Sequence, residues 1–219
     1  MGKRLGICGG TFDPIHFAHL RSAEEVAEEL GLDRVLFMPC ARPPHNKRVW
    51  ASTTHRLAMV HLAVKNHPKF VVSELEVVRG GPSRTVDTLE ALKAMDPANE
   101  LFFLLGTDQF FYLHFWYQPA RLLELADFVV MDRPASPRWD LLDYLRTELD
   151  PAFEPDGNGW YRLPSGRGVR PMATTLLDIS STDIKRRVAA GRSISFLVPE
   201  AVEDYIKSMK LYINQGEAR

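Results

Sequence analysis

Two histidines three residues apart, His16 and His19, follow a glycine pair, Gly9 and Gly10, in the segment GGTFDPIHFAHL. Glycines at such a turn let backbone N–H groups approach a polyanion closely, where a Cβ would stand in the way. A spacing of three puts both imidazoles on one face of a first helical turn. Together they make a cluster of donors suited to a phosphate chain. A second cluster, DISSTDIKRR, runs from Asp178 to Arg187. Ser180, Ser181 and Thr182 offer capping hydroxyls and helix-end N–H groups, and Lys185, Arg186 and Arg187 follow at once. Cations favour helix C-termini, so three of them in early turns oppose the dipole, a conflict that a bound anion would resolve. The third cluster is PCARPPHNKR, Pro39 to Arg48, where Arg42, His45, Lys47 and Arg48 share a loop stiffened by Pro43 and Pro44. Each has a plainer reading: a loop turn, a capped helix, a solvated basic loop. The combination favours a phosphate site.

These clusters need elements to hold them. Short apolar runs at Leu5 to Cys8, Val35 to Met38, Val71 to Val78, Leu101 to Leu105, Phe128 to Met131 and Ala173 to Ile179 read as strands. Between them lie helical patterns. Ala23, Val26, Ala27 and Leu30 form an i, i+3, i+4, i+7 stripe ended by Gly31, and Leu57 to Val64 and Thr85 to Met95 repeat it. Strand–helix alternation predicts an α/β fold: a single-domain, doubly wound (Rossmann-like) parallel sheet over 1–219 with C-terminal helices at Ser181 to Ala190 and Pro199 to Met209. The stretch 150–170, rich in Pro, Gly and Arg, breaks the rhythm and is expected to be a loop excursion inside that domain. Ligands of such sheets bind at the carboxyl ends of the strands, where the first and third clusters fall.

Composition narrows the class. With 219 residues, 45% hydrophobic and 25% charged, the chain is globular and has no room for two large domains. Lys plus Arg number 27 against 28 Asp plus Glu, a net charge of −1 that supplies no global field for nucleic acid or an anionic membrane. The longest apolar run, Leu101 to Gly106, cannot span a bilayer. Cys8 and Cys40 form no CxxC pair, which fits a reducing compartment and a cytoplasmic location. Zinc ligation by HxxH lacks a third ligand, so no protein-held metal is expected. The P-loop, GxGxxG and GxSxG motifs are all missing. Cationic and N–H donors without an obvious general base suit phosphoryl or nucleotidyl transfer. A phosphate monoester, with a second pKa near ~6, is an anion at neutral pH and needs no base to attack.

GGTFDPIHFAH resembles the signature of the HxGH nucleotidyltransferase superfamily at Gly9, Gly10, Phe12, Asp13, Pro14, His16 and His19, and DISSTDIKRR resembles its partner motif ISSTxIR. The chain is most similar to the nicotinate mononucleotide adenylyltransferase family, through PPHNK, PSRTVDTLEAL (Pro82 to Leu92) and GTDQFFYLHFW (Gly106 to Trp116). That resemblance implies adenylyl transfer from ATP to nicotinate mononucleotide, giving nicotinate adenine dinucleotide and pyrophosphate in NAD biosynthesis. It implies Mg²⁺ bound through the ATP phosphates. It implies His16, His19 and Lys47 as catalytic residues, and an ATP site of Gly9, Gly10, His16, His19, Gly106, Asp108, Ile179, Ser180, Ser181, Thr182 and Lys185. Thr11, Phe12, His45, Thr85 and Trp116 are implied for the mononucleotide, with the Trp116 ring stacked on the pyridine. Three positions depart from the pattern. Ala18 stands for a usual Gly, Lys185 for a usual Arg, and Asn46 is inserted into PPHK. Read without the resemblance, the residues suit the acid and the amide mononucleotide alike.

Overall fold

Leu5, Gly6, Ile7 and Cys8 are buried in succession along β1 (Arg4–Gly10), as expected of a strand covered on both faces. The structure, a computed structural model, describes residues 2–43, 48–132 and 140–213. After β1 come α1 (Phe17–Glu29), β2 (Arg34–Pro39), α2 (Thr53–Val64), β3 (Phe70–Val72), α3 (Leu75–Arg79), α4 (Thr85–Met95) and β4 (Glu100–Gly106). Then follow α5 (Thr107–Phe110), a 3₁₀ turn at Leu113–Phe115, α6 (Pro119–Leu125), β5 (Asp127–Met131), α7 (Leu141–Tyr144) and a π turn at Leu145–Leu149. The chain continues through β6 (Glu154–Pro155), β7 (Tyr161–Arg162), β8 (Gly168–Met172), α8 (Ser181–Ala189) and α9 (Glu200–Ser208). The strands form one sheet of order β3-β2-β1-β4-β5-β8-β7-β6. It is parallel from β1 through β4 and β5 to β8, and antiparallel at β8-β7-β6. This is the expected α/β architecture with an antiparallel edge added.

Contacts divide the chain into two compact units. The first comprises Met1–Cys8, Ala23–Val35 and Arg84–Leu176. In it, β1 pairs with β4 from Arg4↔Glu100 to Cys8↔Leu104. The stripe Ala23, Val26, Ala27 and Leu30 is buried, and Gly31 at φ +57 turns the chain out of α1, as its lack of a Cβ permits. The core continues through Phe102, Leu104, Phe128, Val129 and Val169. Asp127, buried at the start of β5, accepts hydrogen bonds from Arg162 Nη1 at 2.9 Å, Arg167 Nη1 at 3.1 Å and the Gly168 amide at 2.8 Å. That fastens the antiparallel strands to β5.

Those strands correct two expectations. The stretch expected as a loop excursion supplies β6, β7 and the first residues of β8, with Asp156 Oδ1 closing the hairpin turn onto the amides of Asn158 and Trp160. The last parallel strand is Gly168–Met172 rather than Ala173 to Ile179. Pro171 disguised it, because proline inside a run argues against a paired strand. Here Pro171 lies beyond Gly168 and Val169, the two residues paired with β7, so its missing N–H breaks no rung of that ladder.

The second unit comprises Gly9–Ser22, Leu36–Ser83 and Leu177–Arg219. Two helices expected there are present: α8 at its expected start, and α9 one residue after Pro199. The strand expected at Val71 to Val78 is cut short. Only Phe70–Val72 is extended, Leu75–Arg79 is helical, and Val78 is 80% exposed. Valines mark β propensity, but propensity yields to the tertiary setting. The expected α2 stripe beginning at Leu57 is also displaced: the buried face is Arg56, Met59, Val60 and Val64, so its first member is an arginine.

Candidate active site

The second unit holds both motif clusters. The first turn is folded around Phe12, whose backbone is left-handed (φ +48) and whose ring is buried. That ring packs against Gly10, where a Cβ would lie 3.2 Å from its atoms, a tight contact that glycine avoids. Phe12 also meets the His19 ring edge-on, with centroids 5.2 Å apart.

The two imidazoles stack, with centroids 3.7 Å apart and planes inclined by 27°. His16 stands just before α1, and its carbonyl accepts from the amides of His19 at 3.0 Å and Leu20 at 3.3 Å. In return, the His16 amide donates to His19 Nδ1 at 3.3 Å. This is one half of a capping box, with histidine at the position glutamate usually takes, while the answering bond from the His19 amide goes to the His16 backbone carbonyl. A ring nitrogen that accepts an N–H is unprotonated, so neutral His19 carries its proton on Nε2 and presents that edge as a donor. His16 is only 2% exposed, whereas His19 is half-buried.

Asp13 is the hub of the turn. Its carboxylate, 3% exposed as a residue, accepts from the amides of Trp50 at 2.8 Å and Ala51 at 3.2 Å and from the Tyr212 hydroxyl at 2.7 Å. Burial, with the Asp13 carboxylate beside it, pushes the Tyr212 phenol far up. From the other motif, Lys185 Nζ donates to the Asp13 carbonyl at 2.6 Å and stands 3.7 Å from its carboxylate. Ser181 Oγ donates to the Pro14 carbonyl at 2.9 Å. The N-terminus of α8, capped by Ser180 Oγ accepting from the Asp183 amide at 3.1 Å, is thereby bolted to the histidine turn.

Three sequence expectations meet this geometry differently. The expected pairing of HxxH with the serine–threonine motif is present within one unit, through Pro14–Ser181 and Asp13–Lys185. The dipole conflict inferred for Lys185, Arg186 and Arg187 is absent. In a helix of nine residues, Arg186 and Arg187 fall in the last turn and pair with Asp183, while Lys185 is buried against Asp13. No bound anion is needed to explain those cations. Ile179 is half-buried, and Ser180 and Thr182 are exposed ahead of them. His45, Lys47 and the inserted Asn46 lie outside the described residues.

Four further expected residues belong to the first unit. Gly106 ends β4 and caps α5, where Asp108 is exposed in the first turn. Thr85 opens α4. Trp116 follows the 3₁₀ turn, half-buried, with its ring edge-on to Phe103 at 6.0 Å. Sequence inspection missed Arg56, Tyr212 and Asp127. Only Arg56 left a signal, as a charge in phase with the apolar residues of α2.

The chain belongs to the cytidylyltransferase-like family, whose profile matches residues 7–187. Its full-length relatives are more particular. It is 45% identical over 217 residues to the probable nicotinate-nucleotide adenylyltransferase of Desulfatibacillum aliphaticivorans, covering 96% of this chain and 100% of that protein. Against the protein of the same description from Syntrophotalea carbinolica, identity is 46% over 214 residues, covering 97% and 98%. Among solved structures, the Plasmodium falciparum nicotinic acid mononucleotide adenylyltransferase complexed with NaAD has the same fold, with a TM-score of 0.75 at 20% identity over 96% of this chain and 97% of that one. Among the described residues no helix is long and apolar enough to cross a membrane.

Proposed function

We propose that the chain is a nicotinate-nucleotide adenylyltransferase acting in NAD biosynthesis: the 5′-phosphate of nicotinate mononucleotide attacks the α-phosphorus of ATP, and pyrophosphate leaves as the bond between the α- and β-phosphates breaks. The observation that carries this reading is the bolting of the stacked His16–His19 pair to the N-terminus of α8. Two sources of N–H donors meet there, a setting that suits a polyanion, while the Asp13 carboxylate between them is held by the Trp50 and Ala51 amides and the Tyr212 hydroxyl. The full-length relatives at 45–46% identity support the same activity.

We carry the residue roles over from the motifs the chain shares with the family it resembles. His19 donates from Nε2 to the phosphates, where negative charge grows in the transition state, and His16 holds the ring in place beneath it. Gly9, Gly10 and the end of α8 at Ile179, Ser180, Ser181 and Thr182 line the triphosphate. Lys185, assigned to ATP by the motif, serves through Asp13. Lys47 and His45 add cationic charge from their loop. Gly106 and Asp108 take the ATP ribose, Thr11, Phe12 and Thr85 the mononucleotide, and Trp116 its pyridine ring, a contact worth about 0.5–1.5 kcal/mol beyond area burial. Mg²⁺ enters with the substrate, as MgATP. We place the enzyme in the cytoplasm, where its nucleotides are, and take its 219 residues as one catalytic domain.

The test is pyrophosphate release from MgATP with nicotinate mononucleotide and, in parallel, with the amide mononucleotide. Preference for the acid is expected. Faster turnover of the amide would overturn the substrate assignment, and release with neither would overturn the activity.

A further inference from the structure

Arg56 is 1% exposed, the most deeply buried cation among the described residues. Its Nη1 donates to the Thr11 carbonyl at 2.8 Å and lies 3.9 Å from Cys40 Sγ. Its Nη2 donates to the Cys40 carbonyl at 2.8 Å, to Thr53 Oγ1 at 3.1 Å and to the Ala41 carbonyl at 3.5 Å. Every one of these partners is uncharged, and Nε has none. A guanidinium stays protonated in a protein, so a whole positive charge is carried into the interior on neutral hydrogen-bond partners, with the buried Asp13 and Glu76 carboxylates felt only through the shared neighbours Tyr212 and Cys40. Burial of that kind is costly, and a Met at the same point of the α2 stripe would fill the space without it. The charge sits behind the two loops that contain the histidine turn and the basic cluster, because Thr11 belongs to the first and Cys40 and Ala41 to the second.

We infer that Arg56 is a positioning residue for substrate phosphate, an inference that rests on the proposed adenylyl transfer. It acts in two ways. By holding the Thr11 carbonyl inward, it fixes a planar trans peptide whose other end, the Phe12 N–H, points the opposite way. Its charge, held directly by neutral groups only, also attracts polyphosphate when it arrives, and in a medium of low dielectric it acts more strongly than an exposed lysine would.

Three variants test this: Arg56→Lys, Arg56→Gln and Thr53→Asp. The last leaves Arg56 intact but sets a carboxylate beside its Nη2, at the first turn of α2, where an acidic residue favours the helix. Affinity for inorganic tripolyphosphate, which carries no base or ribose, is measured together with KM for MgATP and the melting temperature. Thr53→Asp is expected to melt at or above the parent while losing tripolyphosphate affinity about tenfold, which a merely structural role would not do. Arg56→Gln should lose as much or more, and Arg56→Lys should keep most of it. Unchanged tripolyphosphate affinity in Thr53→Asp would overturn the inference even if neither Arg56 variant folds. Equal losses in Arg56→Lys and Arg56→Gln would overturn it as well. Should the parent bind tripolyphosphate with this pattern yet turn over no mononucleotide, the adenylyl-transfer reading fails and the role of Arg56 stands.

Discussion

Asp127 and Arg56 are both buried charges, and the chain treats them in opposite ways. Asp127 is met by two guanidinium groups and a backbone amide, so its charge is closed by the fold itself. Arg56 is met only by neutral oxygens and a thiol. A closed charge fastens strands together and has nothing left to offer a ligand. An open one is tolerated only because the surrounding carbonyls hold it, and it stays available to an anion. Buried charge by itself therefore does not mark a site; the sign and completeness of its partners do.

The contrast between fastening and working groups can be broken most sharply at His19. His19→Ala is expected to lower kcat by about 10²–10⁴-fold while moving KM for ATP far less, since its donor edge matters most when transition-state charge develops. Steady-state kinetics would show this, and equal losses in both parameters would reduce His19 to a binding residue. Asp127→Asn should behave in the opposite way. It strands two partly exposed arginines and should lower unfolding stability by about 2–3 kcal/mol. Turnover per folded molecule should be unchanged, and denaturant midpoints with activity assays on the same samples would separate the two.

Lys185→Arg sharpens the comparison within the motifs. Because Nζ is buried 2.6 Å from the Asp13 carbonyl, the bulkier fork must displace its neighbours and should cost about 1–3 kcal/mol in stability despite keeping the charge. Full tolerance would show that the lysine is only a charge. The smallest effect is expected at high pH. Burial pushes the Tyr144 phenol up from 10.0 to about 12, and Tyr212 is displaced in the same direction. An unfolded chain would ionise these phenols from about pH 10 while the folded one does not, so stability should hold up to that point and decline as pH rises toward 12. Tyr212→Phe should cost about 1 kcal/mol at neutral pH through the lost bond to Asp13 and should make the alkaline decline shallower. An identical decline would show that this phenol does not contribute.

Much of the fold could be read from local pattern. The runs that became β1, β2, β4 and β5 are apolar and short, α4 spans the expected Thr85 to Met95, and Gly31 ends the first stripe as its φ requires. Local pattern misleads elsewhere. Val71 to Val78 carries strand residues that a short helix absorbs, and Gly168–Met172 carries a proline that its position excuses. At Gly168–Met172, pairing with β5 and β7 outweighed local preference. The site divides along the same line. His16, His19 and the serines around Ser181 stand in motifs whose spacing is visible within a dozen residues. Tyr212 reaches Asp13 across 199 positions, and no spacing rule looks that far. Arg56 showed itself only as a charge in phase with Met59 and Val60.

The sequence by itself determined the class of fold, the donor-rich turn after the first strand and the capped helix that answers it, because hydrophobic period, glycine and capping hydroxyls act over a few residues. Only the tertiary structure decided what each charge does. Lys185 and Asp13 became a bolt, Asp127 a fastening, and Arg56 a cation held directly by neutral groups, because burial and the oxygens that converge on a charged group come from distant stretches of chain brought together by folding.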